Sequence, residues 1–165
     1  LIGYHHWKNI ILIQLKGGEV KIELLPDVAP KHCERMKELA RSGAYDNVVF
    51  HRVIDGFMAQ TGDPEGTGGG GSGQLLEAEF SAVPHYKGMV SMAREGASSS
   101  APEEITRANN SGDSQFFICL AYSPHLDGQY TVWGEVISGM RYVDQIKKGV
   151  VPELTDPDKI VTINT

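Results

Sequence analysis

The sequence predicts a mainly β domain, an antiparallel barrel or sandwich. Three observations carry that prediction. Short apolar runs of strand character recur along the chain, about eight of them. Glycine-containing turn signals separate several of these runs. Two helical patterns interrupt them, without the strand–helix–strand rhythm of a doubly wound sheet.

The first run, Ile10 to Leu15, precedes Gly17-Gly18; Val20, Ile22 and Leu24 then alternate with Glu19, Lys21 and Glu23. A glycine pair between two such runs reads as a hairpin whose second strand buries one face. Pro30 sits near the start of a helical pattern with Cys33, Met36, Leu39 and Ala40 on one stripe, and Gly43 is its natural stop. Val48 to Val53 and Phe57 to Gln60 read as strands around Asp55-Gly56. Gly66 to Gly73 reads as a surface loop whose backbone needs unusual angles. Met89 to Ala93, Gln115 to Ala121 and Tyr130 to Ile137 are further strands. Met140, Val143 and Ile146 mark a second short helix. Pro152 to Asp158 reads as a turn, and Ile160, Val161 and Ile163 form a closing strand.

A chain of 165 residues suits one domain with one sizeable core. The net charge is −6 and the fifteen basic residues are scattered, which argues against nucleic acid or an anionic membrane as partner. No apolar run reaches the roughly 20 residues that span a bilayer. Cys33 and Cys119 are too far apart in sequence to suggest a disulfide framework or a zinc site, and read as packed thiols. Residues 1–8, which include His5, His6 and Trp7, read as an N-terminal extension or tag remnant rather than a metal site. Residues 9–165 form the expected domain, a monomer. The N-terminus lacks the pattern of a signal peptide, so a cytoplasmic location is expected, with a periplasmic one after signal removal as the alternative. The glycine run invites a phosphate-loop reading, but the Lys-Ser/Thr of that loop is missing and no helical pattern follows.

The segment Tyr45 to Gly62, YDNVVFHRVIDGFMAQTG, resembles the signature block of the cyclophilin family of peptidyl-prolyl cis–trans isomerases. Phe50-His51-Arg52, Gly56-Phe57-Met58, Gln60 and Gly62 fall at the family's spacing. Ser114-Gln115-Phe116-Phe117-Ile118, Leu126-Asp127-Gly128 with Val132-Trp133-Gly134, and Ser91-Met92-Ala93 resemble three further blocks, in family order. The likeness runs from about Leu12 to the last residue. The GTGGGG stretch is closer to bacterial and some spliceosome-type members than to the cytosolic animal prototype. The resemblance implies a closed eight-stranded antiparallel β-barrel capped by two α-helices, an enzyme that rotates X–Pro peptide bonds and assists protein folding, and no metal or organic cofactor.

That chemistry breaks no bond. The barrier to rotating a peptide bond is roughly 18–20 kcal/mol, because the C–N bond has partial double-bond character. A catalyst needs only to prefer the twisted state, in which the prolyl nitrogen regains a lone pair. A donor aimed near that nitrogen supplies the preference, and an apolar slot grips the ring. Arg52 is the expected donor, a permanently charged fork of five N–H groups. The resemblance gives Gln60 the task of orienting the substrate backbone and helping to fix Arg52. It gives Phe57, Met58, Phe117 and Leu126 the apolar pocket, Ala93 the path of the substrate backbone, and Arg94 main-chain pairing with the peptide. Alternation puts Met58 and Gln60 on one side of their strand, and Gln115 and Phe117 on one side of theirs. It also turns His51 away from Arg52, in a structural role. One of Phe116 and Phe117 must then belong to the core.

Three departures from the family pattern stand out. His125 occupies the place of a tryptophan associated with cyclosporin binding, so cyclosporin binding is expected to be weakened. Tyr130 replaces a pocket histidine, keeping a flat wall with a polar tip. The segment between Ala93 and Gln115 is long and rich in Ser, Asn, Gly and acidic residues, which suggests an exposed, mobile loop that tunes which peptides enter. The expected partners are proline-containing peptides and unfolded or flexible protein segments. The competing reading is a scaffold or chaperone that binds proline segments with turnover incidental.

Overall fold

The computed structural model describes residues 9–165; the extension expected at residues 1–8 lies outside them. Nine strands form one antiparallel sheet: β1 Ile10–Gln14, β2 Glu19–Leu24, β3 Arg52–Ile54, β4 Met58–Thr61, β5 Met89–Met92, β6 Phe116–Cys119, β7 Val132–Ser138, β8 Gly149–Val150 and β9 Thr162–Asn164. Their spatial order is β8-β3-β4-β6-β5-β7-β2-β1-β9. Register shifts at Lys21/Ile22 and Val90/Ser91 bend the ladder. Backbone bonds from Asn47 to Ile160 (2.7 Å), Phe50 to Asp158 (2.8 Å) and Ile160 to Val48 (2.8 Å) join the segment entering β3 to the segment entering β9. The curled sheet is thereby tied to itself, as a barrel requires.

The core holds the inward residues of the alternating strands, among them Ile11, Ile13, Val20, Ile22, Leu24, Ala59, Val90, Phe116 and Ile118. Helix α1, Pro30–Ser42, adds Cys33, Met36 and Ala40 to it. Its start has no local side-chain cap; instead the Glu79 carboxylate accepts the main-chain N–H groups of Lys31 (3.2 Å) and His32 (2.8 Å). Gly43 ends the helix in a left-handed conformation, φ 77°, as its sequence position suggested. Helix α3, Met140–Asp144, packs against β2. Both cysteines are free and buried. Burial pushes the Cys33 thiol up to about 11 and the Cys119 thiol up to about 12.

Two features differ from the expectation. Among the described residues the strands number nine, because two-residue β8 pairs with β3 where the sequence shows only a helix end and a turn. The long segment after Ala93 is not an irregular loop. It contains helix α2, Pro102–Asn109, with Pro at its first turn, Glu103 and Glu104 near the positive end and Arg107 near the negative end. Arg107 binds Glu104 through two nitrogens (2.9 and 2.8 Å) and reaches Glu95 at 3.4 Å. Asn110 Oδ1 accepts the Ala78 N–H (2.9 Å), and Leu76 pairs with Gly112.

Candidate active site

The alternation that sends Ala59, Phe116 and Ile118 inward sends their neighbours Met58, Phe117 and Cys119 outward. With Leu126 these form a second apolar cluster, against which Ile54, Phe57, Ala93 and Tyr130 pack. The cluster floors a pocket of about 270 Å³. Of the residues singled out in the sequence, Arg52, Phe57, Met58, Gln60, Ala93, Arg94, Phe117, Leu126 and Tyr130 line it. Gln115 lines an adjoining groove of about 630 Å³, which shares Gln60, Ala93 and Arg94 with the pocket. His125 lines neither; its ring lies 5.4 Å from that of Phe57 and backs it.

Register explains the assembly. Arg52 stands opposite Gln60, and Gln60 opposite Phe117. Leu120 N–H donates to Phe57 carbonyl, so in this ladder 57/120 is a hydrogen-bonded pair and, by alternation, 60/117 is a non-hydrogen-bonded pair, the class with close side chains. One row across three strands therefore carries a cation, an amide and an aromatic ring.

The two arginines of the pocket differ. Arg94 donates to the Gln129 carbonyl from Nε (3.0 Å) and Nη2 (2.9 Å) and to the Glu95 carbonyl from Nη1 (2.9 Å); its guanidinium lies 4.6 Å from the Tyr130 ring centroid. Arg52 is exposed, and its side chain makes no hydrogen bond or ion pair among the described residues. It is the donor left over. Gln60, expected to help fix Arg52, makes no side-chain hydrogen bond with it among the described residues. Gln60 Nε2 donates to Gln115 Oε1 (3.0 Å), and Gln115 Nε2 donates to the carbonyls of Gly68 (2.9 Å) and Gly70 (2.8 Å). Gln115 thus bridges the pocket to the glycine loop.

That loop is built around a carboxylate the sequence reading missed. Asp63 accepts N–H groups from Glu65, Thr67, Gly68 and Gly70 at 2.7–3.1 Å. Burial alone would raise its pKa; these four donors outweigh it and hold the carboxyl below its usual range. Asp113 takes the N–H groups of Ser72 (3.0 Å) and Gly73 (2.9 Å). The spacing of Asp63 ahead of a glycine run was the available signal, since an aspartate two to seven residues upstream can collect such donors. Gly62, φ 95°, is required where the chain leaves β4: a side chain there would strike the main chain of Ser114.

His51 is buried, but it lines the pocket together with Arg52, and its ring lies against Gly68. Burial draws its pKa below the ordinary value, with Arg52 acting in the same direction and Asp63 against it. Two other contributors were missed. His85, fully buried, meets Asp127 at Nδ1 (2.9 Å) and Ser91 at Nε2 (3.0 Å) beside Phe117. Val150, from the two-residue β8, lines the pocket; so short a strand leaves no periodicity to read.

Residues 10–165 match the family described as "Cyclophilin type peptidyl-prolyl cis-trans isomerase/CLD". A Brucella suis protein named "Probable peptidyl-prolyl cis-trans isomerase" is 47% identical over 170 residues, covering 93% of this chain and 81% of the relative. A Gallus gallus "Peptidyl-prolyl cis-trans isomerase-like 3" is 44% identical over 143 residues, covering 84% of this chain and 81% of the relative. Among solved structures, a Cryptosporidium parvum cyclophilin type peptidyl-prolyl cis–trans isomerase superposes with TM-score 0.81 at 31% identity, covering 94% of this chain and 96% of that one. The same C. parvum protein, solved in the presence of the dipeptide Ala-Pro, gives TM-score 0.79 at 32% identity over 94% and 97% of the two chains.

Proposed function

Because the chain belongs to the cyclophilin-type peptidyl-prolyl cis–trans isomerase family, we propose that it rotates X–Pro bonds in the pocket floored by Met58, Phe117 and Leu126, with Arg52 acting on the prolyl amide. The carrying observation is the unengaged Arg52 guanidinium beside that apolar pocket, on the same row as Gln60 and Phe117.

The proline ring enters the apolar pocket. Burying a few methylenes there contributes about 0.8 kcal/mol each before binding costs. The ring is then held while the preceding carbonyl swings. As the amide twists, the prolyl nitrogen becomes pyramidal and its lone pair becomes an acceptor. An Arg52 N–H directed at that lone pair is worth more in the twisted state than in either planar state. Each tenfold gain in rate requires about 1.4 kcal/mol of such preference. Arg94 is held differently: three of its five N–H groups already donate to the carbonyls of Gln129 and Glu95, which ties its guanidinium to the main chain. The Gln60–Gln115 pair and the main chain at Ala93 and Arg94 align the flanking peptide in extended form.

The ligand class is a proline-containing peptide, in keeping with the Ala-Pro dipeptide used with the C. parvum relative. Flexible or unfolded segments meet the need for an extended chain. Cyclosporin should bind weakly, since His125 offers less apolar face than a tryptophan. A role in binding alone would not call for an uncommitted guanidinium. The test is protease-coupled isomerisation of Ala-Pro and Gly-Pro peptides. Wild type should accelerate both; Phe117→Ala should raise KM several-fold. No acceleration of either peptide by the wild-type chain would refute the proposal.

A further inference from the structure

We propose that Val150 is a positioning residue for Arg52, holding the guanidinium over the pocket from the edge strand β8. The inference rests on the reading of Arg52 given above.

Arg52 stands opposite Val150 on one side and opposite Gln60 on the other. Val151 N–H donates to the His51 carbonyl (3.0 Å), so 51/151 is a hydrogen-bonded pair and 52/150 a non-hydrogen-bonded one. In such pairs the Cα atoms are about 4.5 Å apart and the side chains lie close, on the same face of the sheet. Both residues line the pocket. Val150 therefore extends the row to four: Val150, Arg52, Gln60, Phe117.

Nothing polar fixes Arg52 among the described residues, so packing along its aliphatic stem decides where its head lies. Gln60 is committed to Gln115. Val150 is the flanking side chain that remains, and its branched, stiff shape suits a wall. It stays 42% exposed because β8 is the last strand of the sheet order. A residue so placed serves the core little. The lysines before it point elsewhere: Lys147 Nζ binds the Thr155 carbonyl, and Lys148 Nζ binds the carbonyls of Asp144 (2.8 Å) and Ile146 (2.9 Å). The side facing Arg52 is left apolar and uncharged, so the guanidinium has no competitor for the substrate.

The test is a double-mutant cycle read in two ways, kcat/KM by coupled assay and Kd for an Ala-Pro peptide by NMR titration. Val150→Asp offers Arg52 an ion-pair partner and should lower kcat/KM at least tenfold with Kd changed less than about threefold. Val150→Ala should lower kcat/KM about threefold to fivefold, and Val150→Ile should restore most of that loss. In an Arg52→Ala background, Val150→Asp should have no further effect. Val150→Asp equal to wild type, or an equal loss in both backgrounds, would overturn the proposal while leaving Arg52 in its role. Full activity of Arg52→Ala alone would overturn the reading of Arg52, and this inference with it. If Val150→Asp does not fold, the Ala and Ile variants carried through the same cycle decide the matter.

Discussion

The imidazole of His85 lies alongside the ring of Phe117, centroids 6.3 Å apart and planes 17° from parallel. Phe117 is the outward member of the Phe116-Phe117 pair and a wall of the proline pocket. The His85 ring is itself fixed, by Asp127 at one nitrogen and Ser91 at the other, while Ser91 Oγ donates to the Thr131 carbonyl (2.9 Å). A hydrogen-bonded ring is a stiffer backing than an aliphatic side chain. His85→Leu is expected to cost about 2–4 kcal/mol of stability, because it leaves a buried hydroxyl and a carboxylate without their ring partner. Urea unfolding checks the stability, and KM for a proline peptide should rise as Phe117 loses its support. An unchanged midpoint would contradict this.

Acidification should loosen the helix α1 anchor. Glu79 accepts two main-chain N–H groups and faces His32 Nδ1 at 2.6 Å. An ionised carboxylate only accepts, so that nitrogen carries the hydrogen. Burial holds His32 below its ordinary pKa, outweighing the opposing pull of Glu79. Burial alone would raise Glu79, but the bonds from His32 and Lys31 outweigh it and hold the carboxyl below its usual range. Both groups have depressed folded values, so the unfolded chain takes up protons first as pH falls. The pair's contribution is complete above the ordinary histidine value, about 6.5, and declines below it, first through His32 and then through Glu79. Glu79→Gln should be less stable by about 1 kcal/mol near neutrality and, because Glu79 no longer opposes the burial that depresses His32, should show a steeper loss between about pH 6 and pH 5. Parallel curves for the two proteins would contradict the assignment.

Helix α2 should shape peptide selection. The segments on either side of it contribute Glu95, Ser111 and Asp113 to the groove beside the pocket, and Ser111 Oγ accepts the Glu95 N–H at 2.8 Å. Replacing residues 97–110 with a short glycine linker should change relative rates across an X-Pro peptide panel by about threefold or more, roughly 0.65 kcal/mol of discrimination. Unchanged ratios would show that the segment does not tune entry.

Cyclosporin binding should report on residue 125. The His125 ring is tilted 36° against Phe57, a residue that lines the pocket. His125→Trp should tighten cyclosporin at least tenfold, about 1.4 kcal/mol, by isothermal titration. Equal affinities would contradict the role assigned to this position.

Much of the site was legible because period-two alternation needs only the strands and their phase. Met58 and Gln60 could be assigned to one face of their strand, and Gln115 and Phe117 to one face of theirs, before any partner strand was known; the family resemblance joined the two faces in one groove. What alternation does not encode is pairing between distant segments. Asp63 organises its loop through local backbone donors, and its place ahead of the glycine run is the one local sign of that role. Glu79 caps α1 from 47 residues away in sequence. Val150 reaches the pocket only through the register of a two-residue strand. Helix α2 was missed for another reason: Ala108 is its only buried residue, so no apolar stripe announces it, although its Pro and Glu start signals were present.

In the proposed mechanism Arg52 acts in the twisted state rather than in binding. The most direct measurement is on-enzyme cis–trans exchange by NMR, with a saturating Ala-Pro peptide, for wild type and Arg52→Ala, with Kd measured in the same samples. The exchange rate should fall at least a hundredfold, about 2.7 kcal/mol, with Kd changed less than about threefold and the fold intact. An exchange rate within threefold of wild type would contradict it.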